Sequence, residues 1–212
     1  MKTVMFTGDS ITDCGRGRPI GEVYSLGSSY VSNIYTQMWA ADQESNVHIY
    51  NSAISGNTSR QLRERWESDV LAYPSDYIFI LIGINDCWRE FEAPMPLSSS
   101  VSPDEYEENV EYMIKASLEK GSKPVIISPY FLEPSKADPM RQKCDKLNEK
   151  LIGLTKKYNV PYIDLQGVFD KYMEKTHSYV LSGDRVHPKA IGAQVIANTI
   201  MASDVWKEIK SK

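Results

Sequence analysis

Gly8-Asp9-Ser10 closes a short apolar run, Val4 to Thr7, and so places a hydroxyl where a buried strand hands over to a helix. A serine there can act as a nucleophile, because the first backbone N–H groups of the next helix point at negative charge developing beside it. Such a hydroxyl needs a base, and the chain holds three histidines: His48, His177 and His187. His48 begins a strand-like run and His177 lies in a polar stretch, so each has an ordinary structural account. His187 stands three residues after an aspartate in Asp184-Arg185-Val186-His187-Pro188. On a loop, a carboxylate at that spacing can accept from Nδ1 while Nε2 faces a substrate. The same pair also reads as a helix cap, and the motif alone divides evenly between the two. Acyl transfer further requires donors for an oxyanion, which the Gly56 N–H and the Asn85 carboxamide could supply. Taken singly, Gly56 is explained as a turn residue and Asn85 as an Asx turn or helix cap.

These residues must be positioned by the elements between them. Thr3–Thr7, Val47–Asn51, Tyr77–Ile82, Pro124–Ser128 and Pro161–Leu165 are short runs rich in β-branched, aliphatic or aromatic residues. Their near-continuous apolarity predicts strands buried on both faces, as in a parallel sheet. Helical patterns separate them. Ser102-Pro103-Asp104-Glu105 reads as a capping box, followed by an apolar stripe of Tyr106, Val110, Met113, Ile114 and Leu118 that Gly121 stops. Asp138-Pro139 opens a helix carrying Met140, Cys144, Leu147, Leu151, Leu154 and Tyr158; Leu62, Trp66 and Val70 mark another. A further helix spans Ala190–Ile200, with Pro188 expected in its first turn. The alternation predicts an α/β fold, a three-layer α/β/α sandwich around a roughly five-stranded parallel sheet. With a flavodoxin-like order 2-1-3-4-5, Ser10 and Asn85 face each other across the switch point where ligands bind.

At 212 residues the chain fits one domain spanning 1–212, with no repeat or linker. A net charge of −4 and a pI near 5.5 argue against nucleic-acid or anionic-membrane partners and favour a small neutral ligand. No signal peptide or membrane-length apolar run is visible, so a cytoplasmic location is expected. Cys14, Cys87 and Cys144 lack metal-site spacing and read as buried free thiols. The loop Glu90 to Val101, with Pro94, Pro96 and a serine run, either borders a site or crosses the surface.

Taken together, Gly8–Ser10, Gly56, Gly83-Ile84-Asn85-Asp86 and Asp184–His187 resemble the ordered blocks of the SGNH hydrolases, the GDSL esterase superfamily. The resemblance covers nearly the whole chain. It implies the α/β/α fold, no metal and no cofactor. It also implies Ser10 as nucleophile, His187 as base, Asp184 as its orienting partner, and an oxyanion hole of the Ser10 N–H, Gly56 N–H and Asn85 side chain. The longer blocks, Gly8 to Arg16, Ile54 to Thr58, Gly83 to Arg89, Asp138 to Arg141 and Asp184 to Pro188, are similar to bacterial intracellular acetylxylan esterases. Those enzymes deacetylate xylo-oligosaccharides and often form homo-oligomers. They tend to carry Trp just before the catalytic Asp, where this chain has Ser182-Gly183.

Trp88, Arg89 and Tyr130 are candidate substrate contacts, against packing for the aromatics and a solvated ion pair for Arg89. Rival readings are a lipase or thioesterase with a longer acyl preference and a non-catalytic carbohydrate-binding protein on this fold. A metal-dependent phosphohydrolase using Asp9, Asp13, Asp86, Asp184 and His187, and a cysteine hydrolase using Cys14 or Cys87, complete the set. Trp206 and Ile209 either pack on the domain or meet another subunit.

Overall fold

Runs such as Tyr77-Ile78-Phe79-Ile80-Leu81 have no polar face to offer water, so they become central strands covered on both sides. In a computed structural model of the chain, residues 1–17, 20, 23–91 and 100–211 are described. Their strands are β1 (Lys2–Gly8), β2 (Val47–Asn51), β3 (Tyr77–Leu81), β4 (Lys123–Ile127) and β5 (Tyr162–Ile163), all parallel in the order β2-β1-β3-β4-β5. The register pairs Phe6 with Phe79 and Gly8 with Leu81, which brings the C-terminal ends of β1 and β3 level. Ser10 and Asn85 leave from those ends, at the switch point.

Helices cover both faces. On one face α2 (Tyr30–Ala41), α9 (Ala190–Ala202) and α10 (Asp204–Lys210) pack together; on the other lie α3 (Ser59–Glu64), α5 (Pro103–Glu119) and α6 (Pro139–Tyr158). Trp206 of α10 is fully buried against Phe6 and Phe79, with ring centroids 6.4 and 6.1 Å away, and Ile209 is buried too. Both residues therefore serve the chain's own core. Shorter helices complete the chain: α1 (Ser10–Asp13), α4 (Ile84–Trp88), α7 (Leu165–Met173) and α8 (Ser178–Leu181). Among the described residues, no helix is long and apolar enough to cross a membrane.

Several local expectations shift for identifiable reasons. β5 keeps two residues of the expected five: Pro161 has no N–H for the ladder, and Asp164 turns its carboxylate back onto the Gly167 N–H to cap α7. Half of the Ser102 capping box forms. The Ser102 hydroxyl accepts from the Glu105 N–H at 3.1 Å, but the Glu105 side chain is drawn to the Arg60 guanidinium at 2.5 Å. The Leu62, Trp66 and Val70 stripe is fully buried, yet it runs from α3 into a π-helical turn, Trp66–Leu71. Leu118 and Cys14 are exposed, not buried. Pro188 lies before α9, whose cap is Lys189, because residue 188 bridges to Ser182. Within the Glu90 to Val101 loop, residues 92–99 lie outside the described set.

Candidate active site

The end of β1 admits only glycine. Gly8 has φ +151°, and a Cβ there would sit 2.0 Å from the Leu81 carbonyl oxygen. This close approach seats the next residues at the sheet's edge. Asp9 caps α1, its Oδ1 accepting from the Ile11 N–H at 3.0 Å, so Ser10 becomes the first residue of the helix. Ser10 Oγ lies 2.9 Å from His187 Nε2, and His187 Nδ1 lies 2.6 Å from Asp184 Oδ2. An ionised carboxylate only accepts, so the imidazole proton sits on Nδ1 and Nε2 is left to accept from the Ser10 hydroxyl. The structure thus joins Ser10, His187 and Asp184 in one hydrogen-bonded chain.

The loop 182–188 that carries two of them is closed at its base. Ser182 and Pro188 form an antiparallel bridge, and the Lys189 N–H donates to the Leu181 carbonyl at 2.8 Å. Arg185, in the left-handed region at φ +68°, gives its carbonyl to the Leu132 N–H and its guanidinium to Glu133 and the Phe131 ring. Burial alone would raise the Asp184 carboxyl, but hydrogen bonds from His187, the Val186 and His187 amides and Ser182 outweigh it and hold it at about 2. Trp88 meets the His187 ring edge-on, with centroids 5.6 Å apart.

The donors expected for an oxyanion are the Ser10 and Gly56 N–H groups and the Asn85 carboxamide. The Ser10 N–H is at the first position of α1, where no intrahelical acceptor exists. Gly56 takes φ +81° in its turn. Asn85, buried in α4, gives one Nδ2 hydrogen to the Asn57 carbonyl at 2.9 Å, and its amide carries a second.

What holds these loops in register is a set of polar ties. The Ser59 N–H donates to both Asp86 carboxylate oxygens at 3.0 Å and the Ser59 hydroxyl donates to Oδ1 at 2.5 Å. Arg65, at the junction of α3 and the π turn, donates to Asn57 Oδ1, Ser52 O and Gly8 O at 2.7, 2.7 and 3.3 Å. Asp13 accepts from the Ser55 N–H and hydroxyl, and Arg16 Nε donates to the Ala53 carbonyl at 2.5 Å. Sequence reasoning passed over Arg65, Asp86 as a tie, and Arg141. The fully buried Arg141 guanidinium grips Asp145, Asp170 and the Glu133 carbonyl, bracing the loop under Arg185. Isolated arginines leave no periodic signal in a sequence.

One expected substrate contact needs correction, and a second has a structural partner. Tyr130 is fully buried, its ring 4.5 Å from that of Phe169, so it packs the core and presents nothing to a ligand. Arg89 spends its Nη2 on the Gly56 carbonyl, so it braces the turn that carries Gly56. Trp88, partly buried, does border the site. His48 meets Tyr50 edge-on in β2, and His177 caps α8 by accepting from the Tyr179 N–H at 3.1 Å. Asp9, Asp13 and Asp86 are engaged as caps and ties, and among the described residues no three His, Cys, Asp or Glu side chains are grouped to hold a metal ion. Cys87 and Cys144 are buried, and burial pushes the Cys87 thiol up, away from a nucleophilic thiolate.

Comparison with known proteins agrees with this geometry. Residues 6–195 match the model of the GDSL-like lipase/acylhydrolase family. An acetylxylan esterase of Geobacillus stearothermophilus is 34% identical over 99% of this chain and 96% of its own length. The crystal structure of that organism's acetylxylan esterase superposes with a TM-score of 0.91 at 32% identity, covering 100% of this chain and 95% of the other. Variants of that esterase described as catalytic mutants, at a serine, an aspartate and a histidine, are also among the similar structures. An α/β hydrolase from the metagenome of Lake Arreo, Spain, gives a TM-score of 0.90 at 34% identity, covering 95% and 94%. With matching blocks, a matching fold and relatives that span its full length, this chain is a carboxylic ester hydrolase belonging to the GDSL-like lipase/acylhydrolase family, the SGNH hydrolases.

Proposed function

We propose that the protein is a serine esterase that removes short acyl groups, chiefly acetyl, from acetylated xylo-oligosaccharides or related sugars through an acyl-enzyme on Ser10. The observation that carries this reading is the unbroken chain Ser10 Oγ, His187 and Asp184, at 2.9 and 2.6 Å, at the mouth of the sheet. His187 Nε2 takes the Ser10 proton as Oγ bonds to the ester carbonyl carbon. The Ser10 and Gly56 N–H groups and Asn85 Nδ2 stabilise the oxyanion. As the tetrahedral intermediate collapses, the C–O bond to the sugar breaks and His187 returns the proton to the departing alcohol. Water then repeats the sequence on the acyl-serine, releasing the acid and restoring the hydroxyl.

The alcohol oxygen must face the group that protonates it, so the sugar lies on the His187 side of the site. There Trp88, Phe91, Phe131, Pro139, Met140 and Arg185 line a small cleft of about 190 Å³ beside Asp184. Aromatic and apolar side chains beside Asp138, Asp184 and Arg185 match a sugar ring, which offers both apolar faces and hydroxyls. The net charge of −4 also favours a neutral substrate, and the similar Geobacillus enzyme is an acetylxylan esterase. The test is a panel of acetylated xylo-oligosaccharides, other acetylated sugars and nitrophenyl esters of rising chain length, each also assayed with Ser10→Ala. Acetylated xylo-oligosaccharides should give the highest kcat/KM, and the variant should be inactive. Activity that rises with chain length overturns the acetyl-sugar reading in favour of a lipase or thioesterase.

A further inference from the structure

The carboxylate of Asp184 is divided unequally between its surroundings. Oδ1 accepts from three donors: the Ser182 hydroxyl at 2.9 Å, the Val186 N–H at 3.0 Å and the His187 N–H at 2.8 Å. Oδ2 is left to His187 Nδ1. Two of the Oδ1 donors are amides of the Asp184–His187 loop itself. The third is a side chain, and its polarity is determined. Asp184's own N–H donates to Ser182 Oγ at 3.3 Å, and the carboxylate cannot donate, so the hydroxyl hydrogen points at Oδ1.

Ser182 is also well placed to hold something still. It is nearly fully buried, whereas the Asp184 side chain is about 44% exposed. The Ser182 backbone is fixed by the bridge to Pro188 and by donation from its N–H to the Ser178 carbonyl at 2.9 Å. The other charged side chains on the loop do not compete. Arg185 is turned onto Glu133 and the Phe131 ring, and Lys189 onto the Tyr179 carbonyl and ring. Among the described residues, the side-chain partners of the Asp184 carboxylate are therefore Ser182 and His187.

We propose that Ser182 is a positioning residue for hydrolysis: its hydroxyl saturates Oδ1 and so turns Oδ2 toward His187 Nδ1. The proposal rests on the reading of Asp184 as the orienting partner of His187. It also gives Ser182 a function in this loop, that of anchoring the aspartate. Partners that orient metal ligands from behind are worth roughly 10- to 100-fold in activity, and the lower end applies to a carboxylate that keeps two amide donors.

A double-mutant cycle on the full-length chain tests it, with nitrophenyl acetate as substrate. Ser182→Ala should lower kcat about 10-fold and change KM by less than about twofold. Added to Asp184→Ala, the same substitution should cost nothing more, because its effect runs through a carboxylate already gone. Gly183→Ala serves as the control for disturbing the loop: a Cβ there meets nothing nearer than Lys189 Cε at 3.8 Å, and kcat should stay at the parent value. In the parent, the downfield proton resonance of His187 Nδ1–H should move on Ser182→Ala and stay put on Gly183→Ala. Parent-level kcat in Ser182→Ala, or the same factor lost with and without Asp184, overturns the proposal. Full activity in Asp184→Ala overturns both this inference and the role of Asp184; loss there with Ser182→Ala intact overturns this inference alone.

Discussion

Asp9 sits directly behind the nucleophile and is the group whose ionisation should leave the clearest mark on stability. Burial pushes its carboxyl up to about 7 against the Ile11 N–H that favours the charged form, and the nearby Asp86 carboxylate adds to the rise. Oδ2 has no hydrogen-bond partner among the described residues. In the unfolded chain the same carboxyl releases its proton near its ordinary value of 3.8. Between those two values the folded protein holds a proton that the unfolded chain does not, so stability falls as pH rises through the folded value. The contribution is fully present below about pH 4 and gone above about pH 7 to 8. From pH 5 upward about two pH units of that window remain, at 1.36 kcal/mol each, so raising the pH to 8.5 should cost about 3 kcal/mol through Asp9 alone. Asp9→Asn keeps an acceptor for the Ile11 N–H and cannot ionise. Urea unfolding of parent and variant at pH 5, 6, 7 and 8.5 should give curves of stability against pH that diverge by about 3 kcal/mol, the variant being the flatter. Any pH-independent cost of the amide cancels in that comparison. Parallel curves would refute the argument that Asp9 is protonated in the folded state near neutrality.

Other outcomes follow from the same geometry. Asn85→Ala should lower kcat on the order of 10² to 10³ with little change in fold by circular dichroism, since one oxyanion donor is lost; parent-level turnover would remove Asn85 from the site. Arg141→Ala should cost roughly 3 kcal/mol in urea unfolding, because removing a fully buried guanidinium takes its charged donors from Asp145, Asp170 and the Glu133 carbonyl, leaving the carboxylates Lys136 and, for Asp170, Gln166. An unchanged midpoint would mean that the cluster contributes only geometry.

How much of this was legible in the chain depended on the kind of signal. Val47–Asn51 is found as the spacing predicts, and α6 starts at Pro139 behind an Asp138 cap, since apolar runs and cap chemistry are written locally. Tyr162–Ile163 was overestimated because the Asp164 cap competes with the strand, a contest that the apolar run alone does not display. Ser10, Asp184 and His187 were readable through their order along the chain and meet in space. Tyr130 was misplaced because a position at a strand's end does not say whether a side chain turns into the core. Arg65 ties together carbonyls 57 and 13 residues away, contacts that only the folded sheet creates.

The central claim is that Ser10 is the nucleophile and that His187 activates it. Incubation with a serine-directed fluorophosphonate, followed by peptide mass spectrometry, tests it most directly. The account predicts one covalent adduct, on Ser10, formed quickly in the parent, far more slowly in His187→Ala and not at all in Ser10→Ala. An adduct on another residue, or active protein that stays unlabelled at Ser10, would contradict it.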